Sequence, residues 1–146
     1  MIDTAFTGVT LGGGIGLQEA QGLDDYADTV TLAAYRADDE KDDWHRLSTQ
    51  ALNRCQSSLS FFDAEGMRFH LPAYLIADLR GDFGFGMAFC LTRFSDEHSR
   101  SKFALLSPAQ RMAVRAFLLH LLNDPDESFD HADIARALAE FWTEEH

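Results

Sequence analysis

The run SPAQRMAVRAFLLHLL, residues 107–122, decides the fold class. Ser107 is a good N-cap, Pro108 suits the first helical position, and Gln110 stands where its side chain reaches back to the cap. Together they form a capping box, and the spacing predicts a helix from Pro108 to about Leu122. Asn123 and Pro125 stop it. Its second half, Ala116 to Leu122, is apolar nearly all round, which predicts the central, most buried helix. His120 shares a face with Ala109, Ala113 and Ala116, so it is expected to be a buried, hydrogen-bonded core histidine.

Upstream, Asp63 has the character of an N-cap, and Phe62 and Met67 have the spacing of a hydrophobic staple. They predict a helix from Ala64 to about Leu79, with Met67, Leu71, Tyr74 and Leu75 on one side. Pro72 removes a backbone donor inside it, so a kink or break is expected there. A hairpin around 63–66 is the competing reading. Before it, Trp44, Leu47, Ala51, Cys55, Leu59 and Phe62 share one stripe, with Arg46, Gln50, Asn53, Arg54 and Ser57 opposite, which predicts one amphipathic helix.

The remaining segments carry weaker signals. Phe6 to Leu11 reads as a short extended run, broken by Gly12, Gly13 and Gly14. Gly16 to Ala27 reads as a helix in which Gly22 costs about 1 kcal/mol relative to Ala. Residues 29–37 read as extended or loop. Residues 81–86 form a glycine-rich loop, Met87 to Phe94 suits strand or helix, and Ser95 to Lys102 reads as a polar loop. Asp130 is the expected N-cap of a last helix with Ile134, Ala137, Leu138 and Phe141 on its stripe and Trp142 at the edge. The whole predicts an all-α fold, a compact bundle of about five helices kinked at Pro72, with α+β and a small edge hairpin as the alternative. Residues 1–146 read as a single domain, without repeats or Pro-rich linkers.

The chain has 24 acidic and 12 basic residues, for a net charge of −12. Residues 1–43 hold ten acids and two bases, residues 44–122 six acids and nine bases, and residues 123–146 eight acids and one base. Acidic ends flanking a mildly basic middle argue against a nucleic-acid binder, which needs a basic stripe to neutralise phosphates. No apolar stretch approaches a membrane span and no signal-peptide pattern opens the chain, so a cytoplasmic location is the expectation. Cys55 and Cys90 lie in apolar stretches and read as small core residues rather than nucleophiles.

No motif specifies catalysis, a metal or a cofactor. Gly12-Gly13-Gly14-Ile15-Gly16 lacks the Lys-Ser/Thr ending of a phosphate loop and the spacing of a dinucleotide fingerprint. It reads as a turn into a helix. Asp82-Phe83-Gly84 copies a kinase triplet without the companion motifs. The run Asp38-Asp39-Glu40-Lys41-Asp42-Asp43 places Asp where a calcium loop needs its glycine. The histidines show no HExxH or HxH spacing. Glu19, Asp24, Asp25 and Asp28 could supply paired carboxylates, but no nucleophile elbow or other catalytic signature accompanies them.

The stretch Leu59 to Leu75, with Met67-Arg68-Phe69-His70-Leu71-Pro72-Ala73-Tyr74-Leu75 at its end, resembles a family of small bacterial proteins known only as a domain of unknown function. That family carries a similar FRFxLPAYL run. Leu106-Ser107-Pro108-Ala109-Gln110-Arg111 with Phe117-Leu118, the closing Ala137-Leu138-Ala139-Glu140-Phe141-Trp142, and the early Asp24-Asp25-Tyr26 extend the resemblance along most of the chain. It implies packing roles for Phe69, Leu71, Pro72 and Tyr74 and brings no catalytic residue.

A small acidic chain without catalytic motifs suits a non-enzymatic interaction protein. The leading expectation is an immunity-type protein that neutralises a bacterial toxin by covering a basic cleft with an acidic surface. The residues expected to bind that partner are Asp24, Asp25, Asp38, Asp39, Glu40, Asp42 and Asp43, with Trp44 as aromatic anchor. The alternatives are a small-molecule-binding or regulatory domain with a pocket beside Phe83 to Phe94, and a hydrolase using carboxylates of the first helix.

Overall fold

Every regular element among the described residues is helical. The computed structural model describes residues 1–94 and 96–144, and for residues 127–129 the backbone alone. In chain order the α-helices are α1 (Ile2–Ala5), α2 (Leu17–Asp24), α3 (Thr29–Asp38), α4 (Thr49–Arg54), α5 (Ser58–Phe61), α6 (Ala64–Leu79), α7 (Ala88–Thr92), α8 (Glu97–Ser101), α9 (Pro108–Leu122) and α10 (His131–Glu140). Short 3₁₀ turns cover Trp44–Arg46 and Pro125–Asp130. The all-α expectation holds, and the hairpin at 63–66 is not formed. No helix is long and apolar enough to cross a membrane among the described residues.

The strongest local signals fold as read. Ser107 Oγ accepts from the Gln110 N–H at 3.2 Å, and Gln110 Oε1 accepts from the Ser107 N–H at 2.9 Å. Gln110 is itself buried, and its Nε2 donates to the Ala5 carbonyl, so the cap of α9 also fastens α1. Asp63 caps α6 by accepting from the Gly66 N–H at 2.8 Å. The helix then continues through Pro72 without a break.

The centre of the molecule is α6, not α9. Ten of the sixteen residues of α6 are buried, against six of the fifteen of α9. Leu119 and His120 both face solvent, so the end of α9 is amphipathic and His120 is no core histidine. Among the described residues the buried histidine is His70, on α6. It stacks on Phe62 at 4.3 Å between ring centroids.

The bundle has more and shorter helices than the five expected. The predicted helix from 44 to 62 is cut into the turn at Trp44–Arg46, α4 and α5. Ser48 causes one cut: its hydroxyl accepts from the Ala51 N–H and starts a new helix. Most of the stripe survives the cuts: Trp44, Cys55, Leu59 and Phe62 are buried and Leu47 and Ala51 half-buried, while Leu52, outside the predicted stripe, is buried as well. Residues 29–38 are helical rather than extended, because Asp28 caps the Thr31 N–H at 2.8 Å. Asp96 likewise starts α8 in the stretch expected to be a loop, and 88–92 is helix. Phe6 to Leu11 is a series of turns, with the Leu11 N–H donating to the Lys41 carbonyl.

Buried side chains from both ends of the chain, Ile2 and Trp142 among them, join one hydrophobic cluster. Trp142 is fully buried rather than at an edge. Its indole donates to the Leu91 carbonyl at 2.8 Å, and it packs edge-on against Phe103 and Phe141. Arg111 covers the Phe141 and Trp142 rings at 4.7 and 4.9 Å and donates to the Phe141 carbonyl. Asp130 stands at the start of α10 without a capping hydrogen bond from its side chain. His131 ties the two C-terminal helices instead, through the Leu121 and Asp124 carbonyls.

Candidate functional site

The expected acidic surface is divided by the fold. Trp44 is 3% exposed and its indole donates to the Phe6 carbonyl, so it anchors the core and not a partner. Asp39 is also buried. Its carboxylate accepts from the Gln18 N–H at 2.8 Å and the Glu19 N–H at 3.1 Å, at the positive end of α2. Gly16, the N-cap of α2, has no side chain to do this, and Asp39 does it from across the loop. Burial pushes the Asp39 carboxyl up, and these hydrogen bonds with the nearby Lys41 pull it back.

Two further acids of the run have local duties. Glu40 accepts from the Asp42 and Asp43 N–H groups, closing the turn. Asp43 accepts from the N–H and Nδ1 of His45, whose Nε2 bonds Asp3 at 3.0 Å. The Asp43 and Asp3 hydrogen bonds raise the His45 pKa. When protonated, His45 donates from both ring nitrogens to these carboxylates and has no lone pair to offer. Asp38 and Asp42 remain exposed.

The glycine cluster is also engaged internally. The Gly13 N–H donates to Glu65 at 3.1 Å, and the Ile15 N–H donates to Asp63 at 3.0 Å. Carboxylates of the chain itself thus occupy donors that a phosphate cradle would need. Arg36 completes the loop, donating to Glu19 and to the Gly13 carbonyl. The turn reading of this cluster is the one observed.

Asp24 and Asp25 stand apart from the 38–43 run. They sit where α2 turns into α3, and the ten residues of α3 place the two acidic groups about 15 Å apart. The turn has an unusual build. The Ala27 N–H bonds back to the Gly22 carbonyl at 2.9 Å and the Tyr26 N–H to the Leu23 carbonyl at 3.4 Å, the pattern of a Schellman cap. Its left-handed position is normally glycine. Here it is Tyr26, with φ of 58°, the one non-glycine residue with positive φ among the described residues. Tyr26 is 95% exposed. Asp24, Asp25 and Asp28 surround it in sequence and are exposed, as are Leu23 and Val30.

Helix α3 has no buried residue, and it packs on α2 through Leu32 and Tyr35. Gly22 makes this contact possible: a β-carbon there would meet Leu32 at 2.8 Å and Tyr35 at 3.0 Å. The glycine that weakens α2 as an isolated helix is therefore a packing requirement.

The cavities bear on the other readings. Those beside α7, α10 and the Trp44 turn are each lined by at most one carboxylate, so the converging acids that a carboxylate hydrolase needs are not brought together there. No grouping of three or more His, Cys, Asp or Glu side chains placed to hold a metal occurs among the described residues. Cys55 is buried as expected. Cys90 is only half-buried and lines the cavity beside α7, and burial of its thiol pushes its pKa up to about 11.

The family model of DUF6714, a family of unknown function, matches residues 1–146. The chain belongs to this family. No curated protein and no solved structure matches the chain. The resemblance carried by residues 59–75 to an uncharacterised family is thereby borne out at the level of family. In this DUF6714 member, Phe69, Leu71, Pro72 and Tyr74 are all buried, as packing roles require.

Proposed function

We propose that the chain is a non-catalytic protein-recognition domain whose α2–α3 tip docks onto a basic surface of a partner protein. The observation that carries this reading is Tyr26. A bulky residue in the left-handed region costs about 1–2 kcal/mol. At 95% exposure Tyr26 recovers almost nothing from burial. Strain without a folding return points to a function at that residue. Tyrosine is among the residues enriched at the centres of protein interfaces. Asp24 and Asp25 beside it supply charge that steers a basic partner.

Toxin immunity is the specific form of this reading: the partner is a toxin with a basic cleft, and the tip occludes it. Wild type and an Asp24→Asn, Asp25→Asn, Tyr26→Gly variant serve as baits in host lysate, washed at low and high salt. The expected result is one stoichiometric basic partner that wild type holds at low salt and releases at high salt, and that the variant does not retain. Equal retention by the variant, or no stoichiometric partner, overturns the reading. Immunity further requires that the partner arrest growth when expressed alone and that co-expression of this chain restore it.

A further inference from the structure

The face opposite in character to the acidic tip lies where the loop after α6 meets α7 and α8. A cavity of about 340 Å³ opens there. Its apolar walls are Phe85, Phe89 and Phe103, and its polar groups include Arg93, Lys102 and the Cys90 thiol. Phe85 and Phe89 are 62% and 66% exposed, unusual for phenylalanines flanking one opening.

The charge of this cavity runs against that of the chain. Acids outnumber bases two to one overall, yet no carboxylate lines it. Among the described residues neither Arg93 nor Lys102 has an ion-pair partner. The Lys102 ammonium is fixed by donating to the Ser60 carbonyl at 2.9 Å and the Leu59 carbonyl at 3.4 Å, which uses two of its three protons. The Arg93 guanidinium lies 4.4 Å from the centre of the Phe89 ring. Asp96, whose charge reaches Lys102, accepts from the Ser99 N–H at the start of α8. Lys102 is thus held in place without a direct ion pair, with Asp96 acting on it only at longer range, and Arg93 lies over Phe89 at the mouth of the cavity.

We propose that this cavity binds a small aromatic carboxylate, with its ring among Phe85, Phe89 and Phe103 and its charge at Lys102 and Arg93. The volume is at the small end for ligand sites and fits a single-ring molecule. Aromatic walls favour an aromatic body through offset and edge-on ring contacts. Lys102 keeps a free proton for a carboxylate oxygen, and a guanidinium is a natural carboxylate partner. Burial pulls the Lys102 ammonium below its ordinary range, and an arriving anion reverses that. The site is separate from the α2–α3 tip, and its ligand is independent of any protein partner.

Amide-resolved NMR titration of the full chain tests this with three probes: phenylacetate, its neutral shape-mate phenylacetamide, and acetate. Phenylacetate is expected to give saturable shifts concentrated at Gly86, Phe89, Cys90, Lys102 and Phe103, with the other two probes binding at least about tenfold more weakly. Phe89→Ala and Lys102→Met are each expected to weaken phenylacetate by about tenfold or more. Phe89 is exposed, so its variant retains the fold, and unchanged helical circular dichroism verifies that. Three results overturn the proposal: no saturable shift up to about 10 mM, a range that reveals even millimolar affinity; equal binding of acetate or phenylacetamide; or unchanged binding by the folded Phe89→Ala protein.

Discussion

Asp39 and Gly16 are fitted to each other: a β-carbon on Gly16 would lie 2.3 Å from Asp39 Oδ2 and 2.6 Å from its Cβ. The bare backbone of Gly16 lets a carboxylate from beyond α3 enter and receive the first free N–H groups of α2. Gly16→Ala therefore expels Asp39, although the backbone angles at Gly16 suit alanine. The expected loss is about 2 kcal/mol, the scale of leaving buried hydrogen-bonding groups unpaired. Asp39→Ala should cost a similar amount, and the two together little more than either, because both remove one interaction. Urea unfolding of the two single variants and the double variant measures this, and full additivity would show that Asp39 and Gly16 act separately.

Tyr26 gives a prediction of opposite sign. Glycine adopts its left-handed backbone without steric penalty, so Tyr26→Gly should stabilise the chain by about 1 kcal/mol. A higher urea midpoint at unchanged slope is the expected result. If the same variant also loses a partner, stability and recognition are opposed at this residue. A variant less stable than wild type would show that the ring contributes to folding.

His70 should make the fold sensitive to acid. Burial lowers its pKa from 6.5 to about 4 against the raising effect of the Gly66 carbonyl and Asp63, and its Nε2 has no hydrogen-bond partner among the described residues. Well above pH 6.5 the histidine is neutral in both folded and unfolded chains and stability is unaffected. As the pH falls from 6.5 towards 4, the unfolded chain takes a proton that the folded chain refuses, and stability drops by up to about 3 kcal/mol. His45 acts in the reverse sense. Its raised pKa adds stability below 6.5 that is lost as the pH rises through the folded value. Unfolding free energies measured from pH 7.5 to 4 for wild type and His70→Gln separate the two. The variant should lack the acid-side loss, and an unchanged slope would remove His70 as its source.

What was readable in the sequence, and what was not, follows from where the deciding partner lies. The starts of α6 and α9 are fixed within four residues, by Asp63 with Gly66 and by Ser107 with Gln110, and both were legible. Helix α3 was not, because it buries no residue and so shows no apolar period. Its cap at Asp28 and its seat on Gly22 decide it. The candidate site fared similarly. Asp24 and Asp25 are exposed as expected, whereas Trp44 and Asp39 are withdrawn by partners 38 and 21 residues away, the Phe6 carbonyl and the Gln18 N–H. No local pattern announces such a partner. The left-handed backbone of Tyr26 was hidden too, since only the Schellman bonds reveal that a tyrosine occupies a glycine position.

Trp142 holds α7, the helix that carries Phe89 and Cys90. Its indole donates to Leu91, one residue beyond Cys90, and its ring packs against Phe94, Phe103 and Phe141. Trp142→Phe keeps most of the packing and loses the hydrogen bond, leaving the buried Leu91 carbonyl with one fewer donor. The expected cost is about 1–3 kcal/mol. Trp142→Ala also opens a large cavity and should cost about 3–5 kcal/mol. Against a total of about 5–15 kcal/mol for a domain, that brings the alanine variant close to unfolding. The phenylalanine variant is the informative one, since it stays folded while α7 is released. Hydrogen exchange should then accelerate at the amides of α7, notably Leu91 and Thr92, and little at those of α6. Uniform acceleration across the chain would mean that the indole supports the whole core and not α7 in particular.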